Sequence, residues 1–237
     1  MRRQILSVFL LPLSLPAFGD VIGFYSGDAN GLIVKNEITP RTPEGMSTYQ
    51  SFVVPKGGWK VTRLFTNNDL SFTPSSAHWE IRRGVSEGNG GTLLHSGVDN
   101  NPGFTATGRS GIFQEYSVTV AGLSIFLPQG SYWMSVTPVT TSRESHLSFH
   151  SGSDGRNAIG TPVLGEVYAN SSAPFLNFNF TKISTIAGRS FPAFSAGVYI
   201  DPSATSAVPE PSERSLLVLT ATGLVTLVRR NHKRGAN

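Results

Sequence analysis

Trp59–Phe65, with the sequence WKVTRLF, alternates apolar and polar side chains and is the stretch that decides the fold class. A period of two predicts a β-strand that buries one face and leaves the other in water. The turn residues Pro55–Gly58 come directly before it, and the apolar run Tyr49–Val54 precedes that turn. We therefore predict two neighbouring strands joined by a tight turn.

Short apolar or aromatic segments between Gly, Pro, Asn and Ser turns recur along the rest of the body. Within residues 20–207 no stretch keeps a helical apolar period over about a dozen residues. Further strands are predicted at Val21–Tyr25, Leu32–Val34, Tyr49–Val54, His78–Arg82, Thr92–Ser96, Phe113–Val120, Ser131–Val136, Leu147–His150, Phe175–Phe180 and Gly197–Ile200. Many short strands with regular turns predict an all-β, antiparallel β-sandwich or jelly-roll-like domain over residues 20–200.

The N-terminus has the three parts of a secretory signal peptide. Two arginines follow Met1, Ile5–Leu15 is an apolar run of 11 residues, and Ala17 and Gly19 are small residues suited to cleavage. A run of this length is too short to span a bilayer. We predict a signal peptide over residues 1–19 that is cleaved before Asp20, which implies the secretion translocon and a signal peptidase as partners.

The last 30 residues contain three segments in a fixed order. They are the tetrapeptide Val208, Pro209, Glu210 and Pro211, an apolar segment, and a basic cluster of Arg229, Arg230, Lys233 and Arg234. The apolar segment Leu216–Val228 has 13 residues, or 17 when it is extended back to Ser212. Prolines keep the tetrapeptide extended, an apolar helix satisfies its own backbone in lipid, and basic residues stay on the cytoplasmic side. The alternative is a helix packed on the body, but this segment lacks the polar stripe of such a helix.

This order resembles the PEP-CTERM sorting signal, which would cover residues 208–237 with a transmembrane helix over 212–228. The resemblance implies exosortase as a partner, a membrane cysteine protease or transpeptidase that cuts near the Pro-Glu-Pro motif. It also implies a Gram-negative-type envelope, an inner-membrane intermediate, and a final place at the cell surface or outside the cell in association with exopolysaccharide or biofilm. Residues 201–207 are predicted to be the linker between body and signal.

The basic character of the chain belongs to its two ends. The whole chain has a formal charge of +4, but residues 20–207 hold 12 Lys and Arg against 13 Asp and Glu. A nearly neutral body lacks the electrostatic footprint of a nucleic-acid-binding protein, so we exclude nucleic acid as a partner. The chain has no cysteine. Disulfides, thiol nucleophiles and thiolate metal sites are therefore excluded as well.

Two stretches have the strand and turn pattern that is common in exported β-sandwich modules. The first is His78–Arg82 followed by the turn Ser86–Gly91, and the second is Leu127–Val136. They resemble a broad class that includes carbohydrate-binding modules, and an exposed aromatic side chain could stack on a sugar ring. Trp133 is the candidate glycan contact, because Tyr132 and Met134 take the opposite face of the predicted strand.

The sequence offers little for catalysis, and we predict no catalytic residue. It has no Gly-x-Ser-x-Gly elbow. Glu80 and Glu115 could form the carboxylate pair of a glycoside hydrolase only if the fold brought them together. His146 and His150 share a strand face and are interpreted as polar positions in solvent rather than as metal ligands.

Calcium is the ion that the sequence favours most, although no cofactor is predicted. The turns Ser26–Gly31 and Ser151–Asn157 are rich in oxygen-bearing side chains, with Asp28, Asn30 and Asp154 as weak candidate ligands. Asx turns with glycine explain both stretches without a metal. The sequence thus predicts a non-catalytic exported surface or matrix protein, with a carbohydrate-binding module as the alternative and a secreted glycan hydrolase as the third reading.

Overall fold

The computed structural model describes residues 19–39, 45–139, 147–171 and 178–204, and for residues 162–164 it describes the backbone only. The described part is an all-β structure with one short helix, α1 (Ile183–Ala187), and a 3-10 turn at Pro202–Ala204. The strands are β1 (Val21–Tyr25), β2 (Ala29–Lys35), β3 (Glu37–Ile38), β4 (Gly45–Val54), β5 (Trp59–Leu70), β6 (Ser76–Arg83), β7 (Thr92–Asp99), β8 (Gly103–Ser110), β9 (Gln114–Val120), β10 (Ile125–Leu127), β11 (Gly130–Val139), β12 (Ser148–Ser153), β13 (Pro162–Ser171), β14 (Thr181–Lys182), β15 (Ala193–Phe194) and β16 (Ala196–Ile200). The predicted all-β class is confirmed.

The strands form a nine-stranded sheet and a seven-stranded sheet. In the nine-stranded sheet the long strand β5 pairs with β9 and β10 along one edge and with β16 and β12 along the other. The seven-stranded sheet runs in the order β14-β13-β4-β3-β11-β6-β7. Among the described strands all pairings are antiparallel except that of β3 with β11, which are parallel at Ile38 and Val139.

Both sheets contribute side chains to one apolar core. Phe52 of the seven-stranded sheet is fully buried, and its ring lies 5.7 Å from Phe24 and 6.3 Å from Trp59 of the other sheet, measured between ring centroids. Leu64 and Val198 of the nine-stranded sheet join the same core. Burial of large aromatic and aliphatic groups of this kind supplies most of the stabilisation of a domain without disulfides.

A buried polar layer continues the contact between the sheets beyond the apolar core. The Asn36 side-chain amide donates to Asn68 Oδ1 at 3.0 Å, and the Thr66 hydroxyl donates to the carbonyl of Val136 at 3.0 Å. His150 lies in this layer and is 0 % exposed. The interpretation of His150 as a solvated position was therefore wrong: β12 is central in its sheet, and its even positions face the other sheet. His146 lies outside the described residues.

Every predicted strand except one overlaps a strand of the structure. The exception is Phe175–Phe180, of which residues 179–180 form a bend, 178 has no regular structure and 175–177 lie outside the described residues. Phe180 has a φ of 45°, a left-handed conformation that a strand residue does not adopt. Strands β3, β8, β10, β13, β14 and β15 were not predicted. Among the described residues no helix is long and apolar enough to cross a membrane.

Candidate functional site: a cavity on the outer face of the nine-stranded sheet

Alternate residues of β5 face away from the apolar core. Leu64 and Leu70 point into the core, so Arg63, Phe65 and Asp69 point to the outer face of the nine-stranded sheet. A cavity of about 530 Å³ opens on this face beside Asp69. Its lining includes Ile33, Asp69, Arg109, Ile112, Glu115 and Ser151. The volume lies inside the range of about 300–1,000 Å³ that is typical of small-molecule sites.

Arg109 is held in a fixed orientation at this cavity by two carboxylates. Its Nε lies 2.8 Å from Glu115 Oε2, and its Nη1 lies 3.1 Å from Asp28 Oδ1. Burial lowers the pKa of Arg109, but its hydrogen bonds to Glu115 and Asp28 outweigh that effect and leave the pKa above its usual range. The guanidinium therefore stays charged, and its partners fix the direction of its remaining donors.

Asp28 connects the cavity to Tyr25. The Tyr25 hydroxyl donates to Asp28 Oδ1 at 2.8 Å, and the Asn157 amide donates to Asp28 Oδ2 at 2.8 Å. Burial raises the pKa of Asp28, but hydrogen bonds from Tyr25, Asn157 and Arg109 lower it to below its usual value. Asp28 is consequently a carboxylate at neutral pH.

Asp69 shapes the wall of the cavity. Its two carboxylate oxygens accept the backbone N–H groups of Ile112 and Phe113 at 2.7 Å and 2.8 Å. A side chain at Gly111 would place its Cβ 2.5 Å from Asp69 Oδ2, so this position requires glycine. These contacts hold the loop between β8 and β9 against the sheet and leave Ile112 67 % exposed at the rim.

An aromatic row extends from the cavity along the outer face. The ring of Tyr25 lies 5.8 Å from Phe65, and Phe65 lies 5.6 Å from Tyr199. The guanidinium of Arg63 sits 5.4 Å from the centre of the Tyr199 ring. Phe65 fits because Gly197 has no side chain: a Cβ there would lie 2.4 Å from the Phe65 ring. Tyr25 and Tyr199 are half-buried and can contact a ligand.

Trp133 lies in a separate aromatic cluster, on the other side of its strand from the buried Tyr132 and Met134. It is 8 % exposed, and its indole N–H donates to the carbonyl of Glu166 at 3.2 Å. The cluster also contains Tyr49, Val85, Tyr168 and Phe180. Because so little of the indole reaches solvent, a Trp133 variant would report on packing as well as on binding, and its glycan contact stays a prediction.

The two oxygen-rich turns come together in the structure. The backbone N–H of Asp28 donates to the carbonyl of Arg156 at 2.8 Å. Asn30 Oδ1 and Asp154 Oδ1 accept the backbone N–H groups of Leu32 and Arg156, which are the hydrogen bonds of Asx turns. Within the part of the chain that the structure describes, no group of three or more His, Cys, Asp or Glu could hold a metal ion.

Glu80 and Glu115 are not brought together. Glu80 belongs to the seven-stranded sheet, where it accepts the Tyr49 hydroxyl at 2.9 Å and lies against Arg82. Glu115 belongs to the nine-stranded sheet and binds Arg109 and the Thr107 hydroxyl. Each carboxylate thus has its own arginine on a different sheet, which is not the facing pair that glycoside hydrolysis requires.

The predicted sorting residues and Ala17 lie outside the described residues, while Gly19 is exposed at the start of the described part. Of the cavity residues, Arg109 and Asp69 were not singled out from the sequence, and Glu115 was considered only as one half of a carboxylate pair with Glu80. The sequence signal for Arg109 is its place between Gly108, Ser110 and Gly111. A charged residue among glycine and serine is too common a pattern to indicate a binding site. No family model, curated protein or solved structure matches this chain. Fold and site together define a two-sheet all-β protein with a cavity of mixed apolar and polar lining on one outer face.

Proposed function

We propose that this is an exported, non-catalytic β-sandwich protein of the cell surface or extracellular matrix, sorted by exosortase through its C-terminal segment. The observation that carries the proposal is the order of residues 208–237: a Pro-Glu-Pro motif, an apolar segment and a basic cluster. An all-β body without cysteine and with almost no net charge supports it, because such a body can fold after export by burial alone.

The route follows from the two ends of the chain. Residues 1–19 direct the chain to the translocon, and signal peptidase cleaves after Gly19. Residues 212–228 then halt in the inner membrane, with Arg229 and Arg230 retained in the cytoplasm. This topology leaves Glu210 outside the membrane, where exosortase can cut beside it. The body reaches the cell surface or the surrounding exopolysaccharide of a Gram-negative-type bacterium.

The ends of the described body support this division of the chain. Asp20 forms an ion pair with Arg63 of β5, with Nε and Oδ2 2.9 Å apart. Asp201 forms an ion pair with Lys60 of the same strand at 3.2 Å, and its backbone N–H donates to the Lys60 carbonyl at 2.9 Å. Both attachments join a terminal segment to one central strand, so a chain cut at position 19 and beyond 204 keeps these contacts.

Protease protection tests the topology. In spheroplasts of the native host that lack exosortase, we expect added protease to digest the body and to spare an epitope placed after Asn237. The reason is that the basic end stays in the cytoplasm while the body lies outside. Digestion of both parts, or protection of both, would contradict the proposed topology. A cytoplasmic protein serves as the control for intact inner membranes.

A carbohydrate-binding module is the second candidate function. The cavity beside Arg109 and the row from Tyr25 to Tyr199 favour it, because convergent polar groups next to aromatic rings suit a sugar ligand. The third reading, a hydrolase, is not favoured by the separation of Glu80 and Glu115.

A further inference from the structure

We infer that the cavity beside Arg109 binds a neutral saccharide, whose chain continues along the aromatic row toward Tyr199. This inference rests on the second candidate function, the carbohydrate-binding module, and is independent of the export route. It assigns a class of ligand, neutral saccharides, and a binding site on the nine-stranded sheet. Trp133 lies on the seven-stranded sheet.

The polar groups of the cavity suit hydroxyl groups. A sugar hydroxyl both donates and accepts a hydrogen bond, so it needs donors and acceptors side by side. Arg109 supplies donors, and Glu115, whose side chain is 4 % exposed and whose Oε2 accepts from both Arg109 and Thr107, holds that guanidinium in place. The Arg109 side chain is 37 % exposed, so the part not bound to Asp28 and Glu115 faces the opening. Ser110 and Ser151 add hydroxyl groups at the wall.

The charge balance argues against an acidic ligand. The lining holds one guanidinium, that of Arg109, and two carboxylates, those of Asp69 and Glu115, and a third carboxylate, that of Asp28, pairs with Arg109. The backbone N–H groups that bind Asp69 stabilise its charge without cancelling it. An anionic group such as a uronate or a phosphate would therefore meet a net negative charge at short range. A neutral ligand avoids this repulsion.

The apolar parts of the site suit the C–H face of a sugar ring. Ile112 is 67 % exposed at the rim and Ile33 lies in the wall. From there Tyr25 and Tyr199 present half-buried rings on the same face. Rings stacked on sugars stabilise a bound chain in this way at many carbohydrate-binding surfaces. Phe65 lies between the two tyrosine rings, with centroid distances of 5.8 Å and 5.6 Å, so the row offers a contact surface beyond the cavity.

Calorimetric titration of the purified full chain tests the inference. The probes are cellohexaose, xylohexaose and mannohexaose as neutral chains and hexagalacturonate as the acidic chain. We expect at least one neutral chain to bind and hexagalacturonate to bind more weakly than it. Arg109→Ala should weaken the binding about 10- to 100-fold, because a charge-assisted hydrogen bond is lost. Ile112→Ala, at an exposed position that folding does not need, should weaken it a few-fold.

Arg189→Ala is the matched control, because Arg189 is exposed and is not one of the residues that line the cavity. The affinity of this variant should equal that of the unaltered chain. The inference is overturned if all neutral chains fail to bind, if hexagalacturonate binds most tightly, or if Arg109→Ala and Ile112→Ala bind like Arg189→Ala. Should Arg109→Ala not fold, Ile112→Ala decides alone. A negative result leaves the protease-protection pattern unchanged, so failure here is distinct from failure of the export proposal.

Discussion

Replacing Pro209, Glu210 and Pro211 together with alanine should stop removal of the C-terminal tail and leave the protein in the inner membrane. The prolines hold the motif extended and deprive it of backbone donors, so it stays open to a protease. If residues 212–228 form the predicted helix, alanine in place of the prolines would let that helix extend backwards through the motif. The measurement is a blot of membrane and medium fractions with an antibody against the body.

The matched control for this variant is Thr205→Ala with Ser206→Ala, two substitutions in the neighbouring linker. Its mature form should appear in the same fraction and at the same level as that of the unaltered chain. Both variants carry alanine substitutions shortly before the apolar segment, but only the first variant alters the motif. Normal release of the Pro-Glu-Pro variant, with the same mature mass, would show that the motif plays no part in processing.

Lowering the pH from 7 to 5 should reduce the free energy of unfolding by about 2 kcal/mol through His150 alone. The Thr48 hydroxyl donates to His150 Nδ1 at 2.7 Å, and Nε2 donates to the Ser195 carbonyl at 3.2 Å. Burial lowers the pKa of His150 to about 3, and the hydrogen bond to Ser195 opposes this only in part. The ring is also stacked on Phe194, with the ring centroids 4.3 Å apart.

The direction of the effect follows from where the proton binds. The unfolded chain takes up a proton on His150 near its ordinary pKa of about 6.5, whereas the folded chain does not do so until about pH 3. Between these values the unfolded state binds more protons, so acid favours unfolding. Above about pH 6.5 His150 therefore does not reduce the free energy of unfolding. The reduction grows as the pH falls from there toward 3.

Urea denaturation at pH 7 and pH 5 measures this loss. His150→Gln should be less stable at pH 7 but should lose less stability between the two pH values. His95→Gln is the control, since His95 is exposed and should keep the full dependence on pH. An equal loss in His150→Gln and in the unaltered chain would show that His150 does not titrate in this way.

The strands could be predicted because their information is local. WKVTRLF shows its period of two without reference to the rest of the chain, and β5 indeed contains Trp59–Phe65. Phe175–Phe180 has the composition of a strand, yet residues 179–180 form a bend. Phe180 adopts a left-handed conformation, and its ring packs 5.0 Å from that of Tyr49. A tertiary contact there outweighs the local preference of the chain for a strand.

The cavity and the burial of His150 could not be predicted, because both depend on which strands become neighbours. Arg109 meets Asp28 across a separation of some eighty residues, and His150 becomes central only because β5 and β2 pair on either side of β12. The alternation of side chains along the predicted strand correctly placed Tyr132 and Trp133 on opposite faces. It could not show that Phe180 and Tyr168 cover Trp133.

The whole account depends on a membrane passage of residues 212–228 that exposes Glu210 to cleavage. The most direct test is the intact mass of the mature protein purified from its native host. We predict a mass that corresponds to a chain beginning at Asp20 and ending beside Pro211. A mature protein that still contains Arg229 and Arg230 would contradict the account.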